Sequence, residues 1–512
     1  MKKFIILSAL LLSYAGVYAQ KPDMKPKPHT LAHHDSASSP MGGKNDSVPA
    51  PVVTHHHITI DGKTINYTVT AGYMPMKDKD ESVKAKIFYM AYTADGESAG
   101  KRPITFVFNG GPGSSSIWLH MGAISPVRVH FADDKGNQPA PPYTYGDNEN
   151  SWISFTDLVF IDPVSTGFSR TVKGVDASKY HGYSEDIASV GDFIRMYITR
   201  NERWGSPKFL TGESYGTTRA SGLSGYLQGT YGMYLNGIVL VSSVLNFEYI
   251  DVTRGNDLPY ALFLPTYATT AQYHNKLSPE LEKLNVSDLA KKVETFSLGT
   301  YSYFLMKGDE ASAQLTNAVV DSINYFTGLS KNYIRASDER IRDDRFFKEL
   351  LRDEGKTVGR YDSRYTGEDA DDVGERPSYD PSYSAVSGLF NGVFNEYVRK
   401  ELKYKSDLPY EALTNVWPWT FVENSYQDVS ETLRKAMTEN PALKVMVCCG
   451  YYDLATPFCN AEYAVNHMGL RSYVRNNIML TYYNAGHMMY VTNADDAKLK
   501  ADAQKFYQSA VK

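Results

Sequence analysis

Cysteine is nearly absent: Cys448, Cys449 and Cys459 are the only three in 512 residues. Three thiols clustered near one end cannot staple a fold together, so stability must come from a packed core. A surplus of positive charge is also missing, with 53 Lys and Arg against 58 Asp and Glu and a formal net charge of −5. That balance gives no electrostatic footprint for nucleic acid. Long apolar runs are missing too, since no stretch approaches the roughly 18 residues a membrane span needs. What is present is 42% hydrophobic and 22% charged residues with a mean hydropathy of −0.39, the profile of a soluble globular chain with a large core.

The first residues carry an address. Lys2 and Lys3 precede an apolar run from Phe4 to Leu12, and small residues end in Val17-Tyr18-Ala19. This is the order of a secretory signal peptide, with cleavage expected near Ala19 and release into a periplasm or outside the cell. Residues 20–54 are rich in Pro, Lys, His and Ser without helical or strand periodicity, and read as a flexible leader. His33-His34 and His55-His56-His57 lack the preorganised spacing of a metal site, so a solvated polar run is the expectation.

From residue 55 the pattern becomes alternating. Ile58-Thr59-Ile60 and Ile65-Asn66-Tyr67-Thr68-Val69 flank an Asp61-Gly62 turn signal, which predicts a β-hairpin. Near-continuous apolar runs follow at 104–108, 158–161, 208–211, 238–241, 445–448 and 478–481, most of them ending in a turn. Such runs suit strands buried on both faces, and helical segments at 184–199 and 217–228 lie between them. The pattern predicts an α/β fold with a mostly parallel central sheet, built from 55–247 and 441–512. Residues 248–440 lose this rhythm and hold helix-like stretches at 278–293, 311–327, 338–353 and 386–402. They read as an inserted helical cap, with a separately folding domain as the alternative. In the polar loop 361–381, Asp369-Ala370-Asp371-Asp372 lacks the downstream spacing of a calcium loop and reads as a solvated acidic turn.

Three clusters carry chemistry. Gly212-Glu213-Ser214-Tyr215-Gly216 is a G-x-S-x-G between an apolar strand and a helix, the context of a nucleophile elbow. A serine needs a base, and the base needs an acid to fix its tautomer, in the order Ser, acid, His. Asp453 follows the run 445–448 and a Gly450-Tyr451-Tyr452 turn, and His487 sits in Asn484-Ala485-Gly486-His487-Met488 after the run 478–481. His120, His130, His181, His274 and His467 are weaker candidates by position. The third cluster, Asn109-Gly110-Gly111-Pro112-Gly113-Ser114-Ser115-Ser116, lacks both phosphate-loop patterns. It reads as an oxyanion loop, pairing the N–H of Gly111 with that of Tyr215.

These segments, NGGPGSSS, GESYG, the Asp of GYYDLATPF and the His of NAGHMMY, resemble the serine carboxypeptidase family, peptidase family S10, in a secreted bacterial form. The likeness runs from about residue 84 to the C-terminus. The resemblance implies an α/β-hydrolase fold with a helical cap, release of C-terminal amino acids through an acyl-enzyme on Ser214, and no cofactor or metal. It also implies that Asn109, Gly110 and Glu213 hold the substrate's terminal carboxylate. The chain departs from the family at Ser114, where a Cys is common, at Val107, where an aromatic is usual, and near Ala123, where an acidic partner of the carboxylate site falls. Peptides are the expected partners, and an esterase or acyltransferase on the same scaffold is the second reading; a non-catalytic binding protein is the third.

Overall fold

A computed structural model describes residues 48–97 and 100–511; the signal-peptide reading and most of the leader fall outside them. The apolar runs of the sequence become the strands of one large sheet. In chain order these are β1 (Val52–Ile60), β2 (Lys63–Lys77), β3 (Val83–Ala94), β4 (Ile104–Phe108), β5 (Asp157–Ile161), β6 (Lys208–Glu213), β7 (Gly237–Val241), β8 (Lys444–Gly450) and β9 (Ile478–Tyr483). Their spatial order is β1-β2-β3-β5-β4-β6-β7-β8-β9, and the short strand Arg170–Thr171 pairs with β3. The first four in that order pair antiparallel, and everything from β5 to β9 is parallel. Every residue of β4, β5, β6 and β7 is buried. That is why they read as unbroken apolar runs: both faces are covered, so neither needs polar residues. The arrangement is an α/β hydrolase sheet.

β1 starts at Val52, inside the segment expected to be leader, because Val52 and Val53 pair with Ala71 and Thr70 at the sheet edge. His55, His56 and His57 sit in this strand opposite Thr68, Tyr67 and Asn66. They are edge-strand residues, with His55 and His57 exposed to solvent.

Two helices flank the strand that leads to Ser214. α1 (Tyr183–Arg200) turns Ile187, Val190, Phe193 and Ile194 into the core, and α2 (Tyr215–Tyr231) starts directly after Ser214. Between β7 and β8, helices α3 (Leu258–Tyr273), Val286–Phe296 and Ala313–Thr327 share a core of their own around Phe263, Tyr267, Val293 and Ile323. α4 (Pro381–Lys400) packs differently. Its Leu389, Phe390, Val393 and Phe394 join the core on one face of the sheet, with Trp118, Phe160 and Tyr410.

Three predicted helices of this region are cut short, for local reasons. The stretch 278–293 breaks into Pro279–Glu282 and Val286–Phe296, because the Asn285 side chain accepts from the Asp288 N–H at 2.9 Å and caps a new helix. The stretch 338–353 becomes helical only over Asp343–Glu349, since Asp338 and Glu339 adopt positive φ of 51° and 56°. The stretch 311–327 starts two residues late, at Ala313, where the Ser312 side chain caps the first turn. In the acidic turn Asp371 and Asp372 are exposed as expected, but the Asp369 side chain is buried against Lys348 at 3.0 Å.

Candidate active site

Ser214 ends β6 in a backbone conformation that ordinary residues avoid, φ 59° and ψ −131°. Such strain persists only where the surroundings impose it. The Ser214 N–H is held by the Val241 carbonyl at 3.0 Å, and the chain around it leaves no room for side chains. A Cβ on Gly212 would lie 2.1 Å from the Gly216 carbonyl oxygen, and one on Gly110 would lie 2.4 Å from the Tyr215 nitrogen. The glycines thus bring the loop after β4 against the first turn of α2, where N–H groups and the helix dipole favour developing negative charge. Gly111, with φ 100°, and Tyr215 line one cavity of about 140 Å³ together with Ser214, His487, Asn109 and Glu213.

A buried ion pair anchors this junction from below. Arg219 on α2 donates to Asp186 on α1 at 2.8 Å and to the Asn109 carbonyl at 2.6 Å, and the Tyr215 hydroxyl also donates to Asp186, at 3.2 Å. Removing one partner of such a pair typically costs about 3–5 kcal/mol. Sequence inspection missed this pair, because charges on two different helices give no local signal that they meet.

His487 and Asp453 meet as the sequence order demanded. His487 Nδ1 lies 2.8 Å from Asp453 Oδ2, and both side chains are buried. Asp453 is fully served by donors: Oδ1 accepts from the Ala455 and Thr456 N–H groups at 2.8 and 2.9 Å, and Oδ2 also accepts from the Thr456 hydroxyl at 2.7 Å. Thr456 went unnoticed in the sequence, though its place three residues after the acid is the signal that would find it. The His487 pKa is raised above its ordinary value; burial disfavours the charged ring, but Asp453 and then Glu213 outweigh it. The base loop is held from outside the sheet, by the segment after Val358. The His487 N–H donates to the Tyr361 carbonyl at 2.6 Å, and the Gly486 N–H donates to Asp362 at 3.0 Å.

Glu213 lies beside Ser214 and is treated in the opposite way. Its Oε1 accepts from Asn109 Nδ2 at 2.9 Å, while Oε2 is buried and, among the described residues, has no partner in hydrogen-bonding geometry. Burial pushes its carboxyl up to about 7, against the pull of His487, Tyr490 and Asn109. Asn109 is itself oriented by the Leu119 N–H, which donates to Oδ1 at 3.1 Å. Ala123, where the resemblance places an acid, is an apolar buried residue. The side chain found beside Glu213 is instead Tyr490, whose ring rests on Gly122 so closely that a Cβ there would lie 2.4 Å from Cε2. Ser114 accepts from the Trp118 indole at 2.9 Å and donates to the Ser115 carbonyl.

The other histidines lie in other settings. His120 is buried against Tyr92 Oη at 2.7 Å, with its pKa pushed down to about 3 by burial, and His181 bonds to Ser165. The three cysteines are free and buried. Among the described residues, Glu294, Cys459 and Glu462 have ligand-type atoms within 4.8 Å of one another, but Lys291 pairs with Glu294 and Tyr482 donates to Glu462.

A sequence profile described as serine carboxypeptidase, Peptidase_S10, matches residues 60–496. The chain belongs to this family. A stretch of it is similar to serine carboxypeptidase-like 35 of Arabidopsis thaliana, 29% identical over 152 residues, covering 30% of this chain and 29% of the relative. Another is similar to the pheromone-processing carboxypeptidase KEX1 of Saccharomyces cerevisiae, 33% identical over 158 residues, covering 28% of this chain and 20% of the relative. The aligned stretches thus span less than a third of either curated relative. Among solved structures, a prohormone-processing carboxypeptidase from Saccharomyces cerevisiae superposes with a TM-score of 0.53 at 16% identity, covering 86% of this chain and 91% of that one. At that identity the likeness concerns the fold. It carries the α/β hydrolase sheet and its helices to this family member.

Proposed function

We propose that this family member is a secreted serine carboxypeptidase that removes C-terminal amino acids from peptides. The observation that carries the proposal is the Glu213 carboxyl, buried beside Ser214 with one oxygen outside hydrogen-bonding geometry of any described residue, where burial pushes its pKa up. When neutral it donates a hydrogen bond to a peptide's terminal carboxylate, with Asn109 and the Gly110 backbone as the other parts of the clamp. An esterase has no use for such a group.

The chemistry follows from the geometry. His487, held in one tautomer by Asp453, takes the Ser214 proton as Oγ attacks the carbonyl before the last residue. The Gly111 and Tyr215 N–H groups receive the oxyanion. The C–N bond breaks, His487 passes its proton to the departing amino group, and an ester remains on Ser214. Water, deprotonated by the same histidine, then hydrolyses that ester. No cofactor or metal enters these steps. Two protonation states compete, since Glu213 must be neutral and His487 must be neutral, so peptide hydrolysis is bell-shaped in pH with its alkaline limb set by Glu213.

The basic, apolar, then small pattern of residues 2–19 supports export by a bacterial cell, and no described helix is long and apolar enough to cross a membrane. The cap reading of 248–440 is supported by the helices that share the Phe263, Tyr267, Val293 and Ile323 core, whereas α4 within that range packs against the sheet. The acidic net charge supports peptides rather than nucleic acid as partners.

The test uses a blocked dipeptide with a free C-terminus and the same compound as its amide, with wild type and Ser214→Ala, from pH 4.5 to 8. Release of the terminal amino acid by wild type alone, with the amide much slower, is the expected result. Cleavage of a simple ester with both peptides inert would move the assignment to an esterase or acyltransferase.

A further inference from the structure

The sheet order gives the substrate a direction. β6 lies between β4 and β7, and their three ends carry the clamp residue Asn109, the nucleophile Ser214, and Val244 with Phe247. A peptide anchored by its carboxylate at the end of β4, with its last peptide bond at Ser214, therefore continues toward the end of β7. Val244, Phe247 and Ile250 line the active-site cavity on that side.

A second cavity adjoins it there. Phe247 and Ile250 also line a neighbouring open cavity of about 320 Å³, together with Asp251, Phe421, Tyr426 and Gln427. The two segments that form it are fastened together. The Phe247 N–H donates to the Gln427 carbonyl at 3.0 Å, Asn246 and Asp428 form an antiparallel bridge, and Thr253 bonds to Tyr426 at 3.2 Å. An aromatic series runs outward, with Phe247 to Phe421 at 5.2 Å and Phe421 to Trp417 at 6.2 Å between ring centroids. It ends on the surface, where Trp417 is 62% exposed and Val422 49%. A folded chain gains little by leaving these side chains in water, and an exposed apolar path that shares Phe247 and Ile250 with the reaction cavity suits a ligand that reaches across them.

We propose that this second chamber binds a large apolar or aromatic side chain of the substrate, belonging to the third or fourth residue from its C-terminus. The inference rests on the carboxypeptidase reading, because the clamp is what fixes the peptide's direction. At roughly 3.3–3.6 Å per extended residue, two or three residues beyond the clamp carry the chain past Ser214 and over Phe247. Among the described residues Asp251 is the one carboxylate lining the chamber, so an acidic residue at these positions is disfavoured.

The experiment compares blocked tetrapeptides with the same last two residues and Gly, Phe or Asp at the third or the fourth position from the C-terminus. For wild type, Phe at one of those positions should raise kcat/KM over Gly by roughly tenfold or more, the scale on which an apolar pocket discriminates, with Asp at or below Gly. The Phe-to-Gly ratio should fall to within about threefold in Phe421→Ala, the loss expected when an apolar contact is removed. Each ratio is internal to one enzyme preparation, and Tyr426→Ser supplies a second measurement should Phe421→Ala not fold. Equal kcat/KM for Gly and Phe in wild type, or a ratio that survives both substitutions, overturns the chamber while leaving the carboxypeptidase reading in place. Failure of wild type to cleave any of the free-carboxyl peptides, with an ester still cleaved, overturns the reading beneath it.

Discussion

Asp453 and Glu213 are both buried carboxyls within reach of His487, and the protein surrounds them in opposite ways. Asp453 receives four hydrogen bonds, two from backbone N–H groups, one from Thr456 and one from the histidine. Glu213 receives one in good geometry, from Asn109, and among the described residues its second oxygen has only the Tyr490 phenol near it, outside hydrogen-bonding geometry. Burial alone therefore does not decide what a carboxyl is for. A full set of donors makes an acceptor that orients a base; a missing set leaves an acid that holds its proton near neutrality and can lend it to a ligand.

The largest effect expected is on the saturated side. Asp453→Asn keeps the shape but presents an amide to His487 Nδ1, favouring the wrong tautomer, so kcat for ester and peptide substrates alike should fall by roughly four orders of magnitude. A fall confined to free-carboxyl peptides would erase the distinction between the two groups.

Glu213→Gln acts on the other side. The amide donates at every pH, so the alkaline limb should vanish for peptides with a free C-terminus. Wild type should lose about tenfold in kcat/KM from this group between pH 6 and pH 8, as titration near 7 requires. Hydrolysis of the corresponding ester should keep its shape in both enzymes.

The same substitution should appear in stability. A folded pKa of about 7 against an ordinary 4.5 means that the folded chain keeps a proton that the unfolded chain loses. Stability from this group therefore declines as pH rises from about 4.5 to about 7 and stays lowered above. Glu213→Gln removes that penalty, so the Tm difference between variant and wild type should grow in the variant's favour from pH 4 to pH 8. A relief of about 1 kcal/mol would read as roughly 2 °C.

Tyr490→Phe is the finest probe. The phenol beside Glu213 favours the ionised carboxyl, and its removal should move the alkaline limb for free-carboxyl peptides upward by a fraction of a unit while the ester profile stays still. A limb that stayed in place would show that the phenol has no bearing on the clamp.

How much of this was legible beforehand follows from the range of the interactions. The central strands were readable because each is covered on both faces and so spelled as a short apolar run. The Ser, Asp and His positions were readable because each sits in a turn at the end of such a run, within a few residues of its marker. Asn109 and Glu213 were named only through a family resemblance, and the orphaned oxygen that separates Glu213 from Asp453 has no spelling in sequence. Tyr490 beside Glu213 and Arg219 beneath Asn109 act across 277 and 110 positions of chain respectively. Helix limits in the region 278–353 failed for the opposite reason: single capping side chains and two positive φ values outweighed a helical pattern that was otherwise present.

The base loop hangs from the Tyr361 carbonyl and the Asp362 carboxylate, and those residues belong to the long insertion rather than to the sheet. The segment between β7 and β8 is therefore tied to His487. Transplanting a relative's version to change specificity would also replace the bracket that aims His487, so a working chimera has to retain residues 359–365 and move its splice points outside them.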